Sequence, residues 1–592
     1  MMPNEQPKVS AAGAPLVRSR KFQFAALGLV LVSGIAGLGL ARCLMEPVVA
    51  PVAPTPEVKL PPQLFQGWTR PDFVVLVTGQ QHGYLMPCGC SKPQKGGLER
   101  RYNFIKLLEA KGWPVVPVDV GDVPQIHGPA NLPNIQGPIK YRYTMKAMRA
   151  MKYAAVGFGS FEDAQPLHKC FDEWCFNEAQ PPMLGANLID KEGIYKSKDN
   201  ACIHDVRFTA TAGLSIGITA LIGPSVSELK MKDRKFEYAG SADVLPRVLK
   251  QLDDGKADFR VMLYQGSMTQ GMKGREPEAY ELVKKYPQFQ LAVCLSEDDE
   301  PSSSANTIGK TMAVRVGHKA RYVGVVGVWK TGKPEQPFTL KYQLVELGEE
   351  FMTPKGTEGD HPIINLMEEY TAELKRDNYL ARYPQAVHPF EVEIKGVGGR
   401  APSFVGSEAC KGCHSDAYKK WLKTPHSHAY KTLEDTEHPK LRQYDPECVV
   451  CHVVGFGYKT GFRDEPSTPK LKNVGCESCH GPASGHIEQE QLRTTGKAAP
   501  FAQKWRELMN PYRTPDGVEK PADKAKRILR ADVFCQSCHD KDNDVHWLHN
   551  AFERKWLLIH HYEREKLDEE YKKKEEEQKK KEDEQKKKES AR

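Results

Sequence analysis

The stretch Cys410-Lys411-Gly412-Cys413-His414 is the first of four Cys-x-x-Cys-His motifs in the last third of this 592-residue sequence. The other three are Cys448-Val449-Val450-Cys451-His452, Cys476-Glu477-Ser478-Cys479-His480 and Cys535-Gln536-Ser537-Cys538-His539. With 15 cysteines and 19 histidines in the chain, random placement would give roughly 0.01 such motifs. The four copies are therefore a functional pattern, and they decide what the carboxy-terminal third folds around.

The spacing within each motif has a chemical explanation. Two thiols three positions apart on one helical turn can bond to the two vinyl groups of a haem, and the adjacent histidine then reaches the iron. Paired Cys-x-x-Cys units can also bind structural zinc, but zinc gives no reason for a histidine after every pair. The sequence predicts four covalently attached haem c groups on the eight motif cysteines. The predicted proximal iron ligands are His414, His452, His480 and His539.

The haem-binding segment is short, with 130 residues from Cys410 to His539. Four haems in so little chain must lie close together and supply much of the core, so we expect short helices, long loops and little sheet. A second histidine ligand saturates the iron and suits electron transfer, whereas an open position can bind small molecules. The histidines available as second ligands are His426, His428, His438, His486, His546, His549, His560 and His561.

Several stretches around the motifs are similar to the tetrahaem cytochrome c-554 family. They are Phe404-Val405-Gly406, His426-Ser427-His428-Ala429, Asp445-Pro446 before the second motif, and Val474-Gly475 before the third. The resemblance spans residues 403–562 and implies haems in stacked pairs, mostly with two histidine ligands, and one haem with an open site. By position it implies His428 and His486 as distal ligands. The further distal candidates are His426, His560 and His561.

Residues 72–348 alternate between strand-like and helix-like patterns, which predicts an α/β domain. Phe73-Val74-Val75-Leu76-Val77 is typical of a buried strand, and residues 102–111 have helical spacing. Thr78-Gly79-Gln80-Gln81-His82 and Val118-Asp119-Val120-Gly121-Asp122 resemble the first two blocks of metallophosphoesterases of the 5′-nucleotidase type. This resemblance implies a four-layer α/β sandwich.

The metal chemistry of that family does not carry over to this sequence. A dinuclear site needs a cluster of Asp, Asn and His ligands to hold two ions about 4 Å apart. Only His82 and Asp122 match ligand positions, and Gly157-Phe158-Gly159-Ser160 replaces the Gly-Asn-His-Glu block. We therefore expect a scaffold or docking module without phosphoesterase activity.

The remaining cysteines fit an oxidising compartment. Cys88 and Cys90 are separated by one residue, which is poor geometry for a disulfide between them, so we expect them to pair elsewhere; a redox or metal-binding role of the two thiols is the alternative. The available partners are Cys170, Cys175, Cys202 and Cys294. In an oxidising compartment such bonds are structural.

The amino terminus has the pattern of a membrane anchor. The 20 residues 22–41 are uncharged and follow a basic cluster ending at Lys21. That length lets a helix cross ~30 Å of hydrocarbon, and the basic side stays in the cytoplasm. We predict a cytoplasmic segment 1–21, a single-pass anchor and a Pro-rich linker at 42–71. The rest of the chain would then face the periplasm, and a cleaved export signal is the alternative.

The remaining segments and the composition give further bounds. Residues 349–402 are predicted as a connection, and 563–592 as a solvated Lys/Glu-rich helix without the apolar positions of a coiled coil. The chain is 40% hydrophobic and 27% charged, which excludes a polytopic membrane protein. A net charge of +8 is mild for this length and gives no case for nucleic-acid binding. The oligomeric state is left open.

Together these features predict a membrane-anchored periplasmic tetrahaem c-type cytochrome. Its predicted role is electron transfer between redox proteins, with the phosphatase-like domain as scaffold or docking module. The alternative is a haem-based oxidoreductase that acts on a small nitrogen or oxygen species at an open-coordination haem.

Overall fold

A computed structural model describes residues 59–87, 92–164, 168–177, 179–197, 201–227, 236–268, 278–296, 298–397, 399–510, 520–544 and 547. All of these residues belong to one compact unit. The predicted segments 1–21, 22–41 and 563–592 lie outside the described residues, as do His560, His561, Cys88 and Cys90 and most of the Pro-rich linker. Among the described helices, none combines the length and apolar character needed to cross a bilayer.

The strands of the described residues all lie between Phe73 and Glu346, in the part of the chain that forms the sandwich. They are β1 (Phe73–Thr78), β2 (Val115–Asp119), β3 (Ala155–Gly157), β4 (Met183–Leu184), β5 (Leu188–Ile189), β6 (Ile203–His204), β7 (Val206–Thr211), β8 (Leu214–Ile222), β9 (Glu237–Tyr238), β10 (Phe259–Ser267), β11 (Leu291–Leu295), β12 (Asn306–Ile308), β13 (Thr311–Arg315), β14 (Tyr322–Lys333) and β15 (Gln336–Glu346).

These strands form two mixed sheets and a small ribbon. The first sheet has the order β15-β14-β1-β2-β3-β4-β6, and the second has the order β12-β13-β11-β10-β8-β7. In the first sheet β1 runs parallel to β2 and antiparallel to β14. In the second sheet β10 runs parallel to both β8 and β11. The parallel strands of each sheet therefore end at one edge, where loops can carry a site.

The two sheets pack face to face, and side-chain alternation along the strands decides which core each residue joins. On β1, Val75 and Val77 pack with Ile216 and Val261 of the second sheet in the inter-sheet core. Val74 of the same strand points to the opposite face and joins a second core beneath helices. The buried strand predicted at 73–77 is thus confirmed.

Helices cover both outer faces. The helices of this half are α1 (Leu98–Ala110), α2 (Gly137–Ala150), α3 (His168–Asn177), α4 (Pro224–Ser227), α5 (Ser241–Asp254), α6 (Glu278–Lys285) and α7 (Pro362–Arg376). Core side chains of α1, α2, α3 and α7 pack on the first sheet, and those of α5 and α6 pack on the second. The helix–sheet–sheet–helix order confirms the predicted four-layer α/β sandwich.

Helix α7 lies within the segment predicted as a connection. Its residues Ile363, Met367, Tyr370 and Leu374 are buried in the same core as α1 and α2. The spacing of these four residues places them on one helical face. This part of residues 349–402 therefore belongs to the outer layer of the sandwich.

The carboxy-terminal part consists of short helices joined by loops, as the sequence predicts. They are α8 (Tyr379–Arg382), α9 (Pro389–Gly396), α10 (Ser415–Trp421), α11 (Ala429–Glu434), α12 (Pro446–His452), α13 (Cys476–His480), α14 (Ser484–Thr494), α15 (Ala502–Met509) and α16 (Pro521–Cys535). Short 3-10 helices add Pro129–Asn131, Glu349–Phe351, Glu358–Asp360, Ser407–Cys410, Pro425–His428, Arg442–Tyr444 and Pro469–Leu471. Apolar clusters here are small, and one of them has only Ile394, Trp505 and Leu508 at its centre.

One disulfide joins the described cysteines of the sandwich. Cys175 on α3 is bonded to Cys202 beside β6, so these two pair with each other and not with Cys88 or Cys90. Cys294 on β11 is a buried free thiol.

Candidate haem-binding site

Each Cys-x-x-Cys-His motif sits on a helical turn. The second and third motifs form α12 and α13, the first follows the 3-10 helix Ser407–Cys410, and the fourth begins at the last residue of α16. In the first and fourth motifs the histidine N–H donates to the carbonyl of the first cysteine, at 2.9 Å in both. The turn brings both thiols to one side of the chain, which is the arrangement that the two vinyl groups of a haem require.

The four motifs lie in two adjacent pairs. The thiols of Cys410 and Cys476 are hydrogen-bonding neighbours, which raises the pKa of Cys410 and lowers that of Cys476 to about 7. The thiols of Cys451 and Cys538 are also neighbours, and this contact lowers the pKa of Cys538. The first motif therefore lies beside the third, and the second lies beside the fourth. The third also lies near the fourth, because Cys535 and Cys538 add to burial in raising the pKa of Cys479.

Glu477 holds the first pair of motifs together. Its buried carboxylate accepts hydrogen bonds from the backbone N–H groups of Val405, Gly406 and Ala483 at 2.7–3.1 Å. Burial raises the pKa of Glu477, although these N–H groups act in the opposite direction. The segment before the first motif is thereby fixed to the helix of the third.

Three of the four motif histidines donate a hydrogen bond from Nδ1. The acceptor is the carbonyl of Ala429 for His452 and the carbonyl of Met509 for His480. For His539 it is the carboxylate of Asp544, at 2.8 Å. A proton on Nδ1 puts the lone pair that can bind a metal on Nε2, and metal-ligating histidines usually donate their other ring N–H in this way.

Two candidate distal histidines face motif histidines. The ring centres of His486 and His414 are 6.4 Å apart with planes at 27°, and those of His426 and His539 are 6.0 Å apart. Two metal–nitrogen bonds of about 2 Å, and about 1 Å from each nitrogen to its ring centre, span a similar distance. Nδ1 of His486 is buried and finds no hydrogen-bond partner among the described residues. These pairs fit an iron ion held between two imidazoles.

His428 is the remaining candidate distal ligand among the described residues, and its contact is with its neighbour in the chain. His428 Nδ1 is 2.7 Å from Ser427 Oγ, its neighbour in the chain. Position along the sequence placed His428 and His486 foremost, whereas the structure sets His426 and His486 opposite motif histidines. From the sequence alone, His426 is recognisable only as one of the histidines that follow the first motif.

The two remnants of the phosphoesterase blocks lie where the two sheets meet. The rings of His82 and His318 are 5.4 Å apart, and burial lowers the pKa of His82 to about 3. Asp122 accepts from Phe161 N at 3.0 Å and from Ser160 Oγ at 3.2 Å, and burial raises its pKa to about 6. Protein donors thus already engage Asp122 where a metal ion would bind.

Amide side chains surround these remnants. Gln80 bonds the backbone of Ser296 with both its amide nitrogen and its oxygen at 3.0 Å. Gln265 donates to the carbonyl of Val120 at 2.8 Å. Among the described residues no group of three or more His, Cys, Asp or Glu is arranged to hold a metal ion. The residues at this position do not fit a dinuclear metal centre.

The same edge of the sandwich contacts the haem-binding part. Asp542, three residues after the fourth motif, forms ion pairs with Lys319 and Arg321. It also accepts from Tyr84 Oη at 3.1 Å. Glu447 of α12 pairs with Lys140 of α2 at 2.6 Å. The second and fourth motifs are therefore joined to the sandwich through Glu447 and Asp542.

A buried network reinforces this contact. Asp445, which caps α12, accepts from Gln136 Nε2 at 2.8 Å, and the same amide nitrogen contacts Tyr370 at 2.8 Å. Tyr383 donates to Gln136 Oε1 at 3.0 Å. Every one of these side chains is buried.

Comparison with known proteins covers both parts. Residues 409–481 match the family model of cytochrome c554 and c-prime. Over 106 residues the chain is 36% identical to cytochrome c-554 of Nitrosomonas europaea, an alignment that covers 16% of this chain and 44% of that protein. The chain thus spans less than half the length of this curated relative. The resemblance of the carboxy-terminal segment to that family is confirmed.

Solved structures similar to the chain come from the phosphoesterase class. A 5′-nucleotidase precursor from Thermus thermophilus has a TM-score of 0.40 at 15% identity, covering 51% of this chain and 59% of that one. A calcineurin-like phosphoesterase from Bacillus subtilis has a TM-score of 0.38 at 14% identity, covering 51% of this chain and 97% of that one. These are the proteins whose sequence blocks the amino-terminal half resembles.

Proposed function

We propose that this protein is a tetrahaem c-type cytochrome that transfers electrons between redox proteins. The observation that carries the proposal is the arrangement of the four motifs, which lie close together, with His414 and His539 each facing a further histidine. The match of residues 409–481 to a cytochrome family supports covalently bound haem c.

The chain's own residues would hold the four groups in named roles. The eight motif cysteines would bind haem covalently, and each motif histidine would be a ligand of its iron. His486 would be the second histidine for the iron held by His414, and His426 for the iron held by His539, because their ring separations fit two imidazoles on one iron. Bound haem c supplies reversible one-electron chemistry between ferric and ferrous iron.

The paired motifs suit stepwise electron transfer. Contacting thiols at Cys410 and Cys476, and at Cys451 and Cys538, bring the attachment edges of two groups together within each pair. The sandwich holds the second and fourth motifs through Glu447 and Asp542, which gives it a structural role in the proposal.

Haem-based reduction or oxidation of a small molecule is the second candidate function. No second histidine is assigned here to the irons that His452 and His480 would hold. His560 and His561 are the candidate ligands for these irons. An open position at either iron would bind nitric oxide or cyanide.

The location proposed for the protein is the periplasmic side of the inner membrane. The uncharged segment 22–41 after basic residues supports a single-pass anchor. The Cys175–Cys202 disulfide fits an oxidising compartment. Membrane fractionation and sequencing of the mature amino terminus separate an anchor from a cleaved signal.

A stopped-flow experiment tests the proposed activity. The fully reduced protein is mixed with an oxidised soluble cytochrome, and we expect all four haems to reoxidise rapidly. Reduced protein that fails to pass electrons to any redox protein, yet reacts with nitric oxide, would favour the second function. Nucleotide hydrolysis with added divalent metal checks the sandwich, for which we expect no activity.

A further inference from the structure

The loop after the fourth motif connects a haem ligand to the sandwich. Asp544 receives the Nδ1 hydrogen bond of His539 at 2.8 Å, and only 7% of its surface is exposed. Trp547 stacks on the same imidazole, with ring centres 4.8 Å apart. The carboxylate is therefore largely removed from water, which strengthens the hydrogen bond, while the His539 side chain is 33% exposed.

This contact distinguishes the fourth motif from the second and third. His452 and His480 donate to backbone carbonyls, which carry only partial negative charge. A carboxylate carries a full negative charge and draws the Nδ1 proton more strongly, so the imidazole becomes a more basic ligand. Ferric iron is more positive than ferrous iron, and a more basic ligand favours the ferric state.

Residues of the sandwich hold the loop in place. Asp542 pairs with Lys319 and Arg321, and all three side chains are largely buried, with 13–16% exposure. Between motif and anchor, Asp540 Oδ1 accepts from the N–H groups of Asp542 and Asn543 at 2.9 and 2.7 Å. Two residues separate the anchored Asp542 from His539 and one separates it from Asp544, so its position restricts theirs.

We infer that Asp544 is a positioning residue that lowers the midpoint potential of the haem at the fourth motif, and that the sandwich maintains this contact through Lys319, Arg321 and Asp542. The inference rests on the proposed function, because it requires a haem bound by His539. The sandwich would then keep one haem at a lower midpoint potential than its histidine ligands alone would give it.

The first test replaces the carboxylate. In Asp544→Asn the side chain keeps its shape but loses its charge, so one haem should become easier to reduce. We expect its ferric-to-ferrous ratio at fixed potential to fall about tenfold, equal to about 59 mV for one electron. Spectroelectrochemical titration of the purified holoprotein measures this, and Asp544→Glu should restore a value close to that of the wild type.

The second test loosens the anchor. In the double variant Lys319→Ala/Arg321→Ala, we expect the same haem to shift in the same direction by a smaller factor. The control is Lys95→Ala, which removes the exposed ion pair with Glu346 on the same sandwich and should leave every potential unchanged.

The outcomes separate this inference from the proposed function. If the wild type carries four titratable haems but Asp544→Asn leaves all potentials within error, the inference is overturned and the cytochrome proposal stands. An equal shift of all four potentials would also overturn it, since that result reports general loosening. If the wild type binds no haem, the proposed function itself fails.

Discussion

His486 and His426 are the residues on which the proposed iron ligation depends. Each lies opposite a motif histidine at 6.0–6.4 Å between ring centres. In His486→Ala we expect one haem to change from low spin to high spin, because the iron bound by His414 loses its second strong ligand. Electron paramagnetic resonance of the oxidised protein measures this change.

The matched control for that variant is His438→Ala. His438 bonds Glu368 at 2.9 Å on the surface and takes no part in the facing pairs. The His438→Ala substitution should leave the spin states of all haems unchanged. A His486→Ala protein with an unchanged spectrum would remove His486 from the ligand set.

His388 makes stability depend on pH. Its Nδ1 accepts the N–H of Phe390 and so caps α9, and burial lowers its pKa from 6.5 to about 4. The unfolded chain therefore takes up a proton before the folded chain does as the pH falls. The stabilisation is complete above pH 6.5 and is lost between about pH 6.5 and 4.

Denaturant unfolding at several pH values measures this effect. Asn also caps helices but does not titrate, so His388→Asn should lose less stability than the wild type as the pH falls from 7 to 4. Parallel pH curves for the two proteins would contradict this role of His388.

For individual residues, the sequence predicted the repeated motif cysteines and histidines. It did not predict the groups that accept hydrogen bonds from the motif histidines. The motif cysteines and histidines are recognisable from spacing alone. Asp544 and the carbonyls of Ala429 and Met509 are not, because an acceptor for Nδ1 needs no particular residue type or spacing.

Among the elements, α12 joins haem binding to the sandwich. Asp445 caps this helix by accepting the N–H of Glu447 at 3.0 Å, and it also accepts from buried Gln136. Asp445→Ala leaves both donors without an acceptor, which should lower the free energy of unfolding by about 1–3 kcal/mol. Chemical denaturation followed by the haem absorbance measures the loss.

The comparison for Asp445→Ala is Asp416→Ala. Asp416 lies on the exposed surface of α10, 3.6 Å from Lys419, and its removal should cost less than about 0.5 kcal/mol. Equal effects of the two substitutions would show that the buried network does not stabilise α12.

The disulfide between α3 and β6 closes a loop with a sequence separation of 27. Cys175→Ser/Cys202→Ser should therefore reduce stability by about 2–4 kcal/mol. Thermal unfolding of this variant beside the wild type measures the change, with Cys294→Ser as a control for loss of a thiol. Free-thiol labelling of Cys175 in freshly purified wild type would contradict the bond.

The sequence predicted the central elements of the sandwich better than their ends. Helix α1 begins at Leu98, earlier than the predicted 102, because Gly97 with φ of 97° ends the preceding loop there. Strand β15 was not predicted, since it lies at the edge of its sheet and only one of its eleven residues is buried. An edge strand is defined by its pairing with β14, which hydrophobicity does not reveal.

In the whole molecule, the sandwich and the haem-binding part share one interface. Each of the two parts was recognisable from the sequence. The contacts of Asp542 with Lys319 and of Glu447 with Lys140 join residues 223 and 307 positions apart in the chain. Sequence patterns identified each half, but charge partners so far apart follow only from the packed structure. The sandwich thereby holds the second and fourth motifs in place.

Everything at this scale depends on the presence of haem at all four motifs. Intact-mass spectrometry of the purified protein, combined with its reduced absorption spectrum, tests this most directly. We expect the mass of the mature chain plus four covalently attached haems and a c-type spectrum. A colourless protein with the mass of the polypeptide alone would contradict the account, and fewer than four attached haems would contradict the assignment of all four motifs.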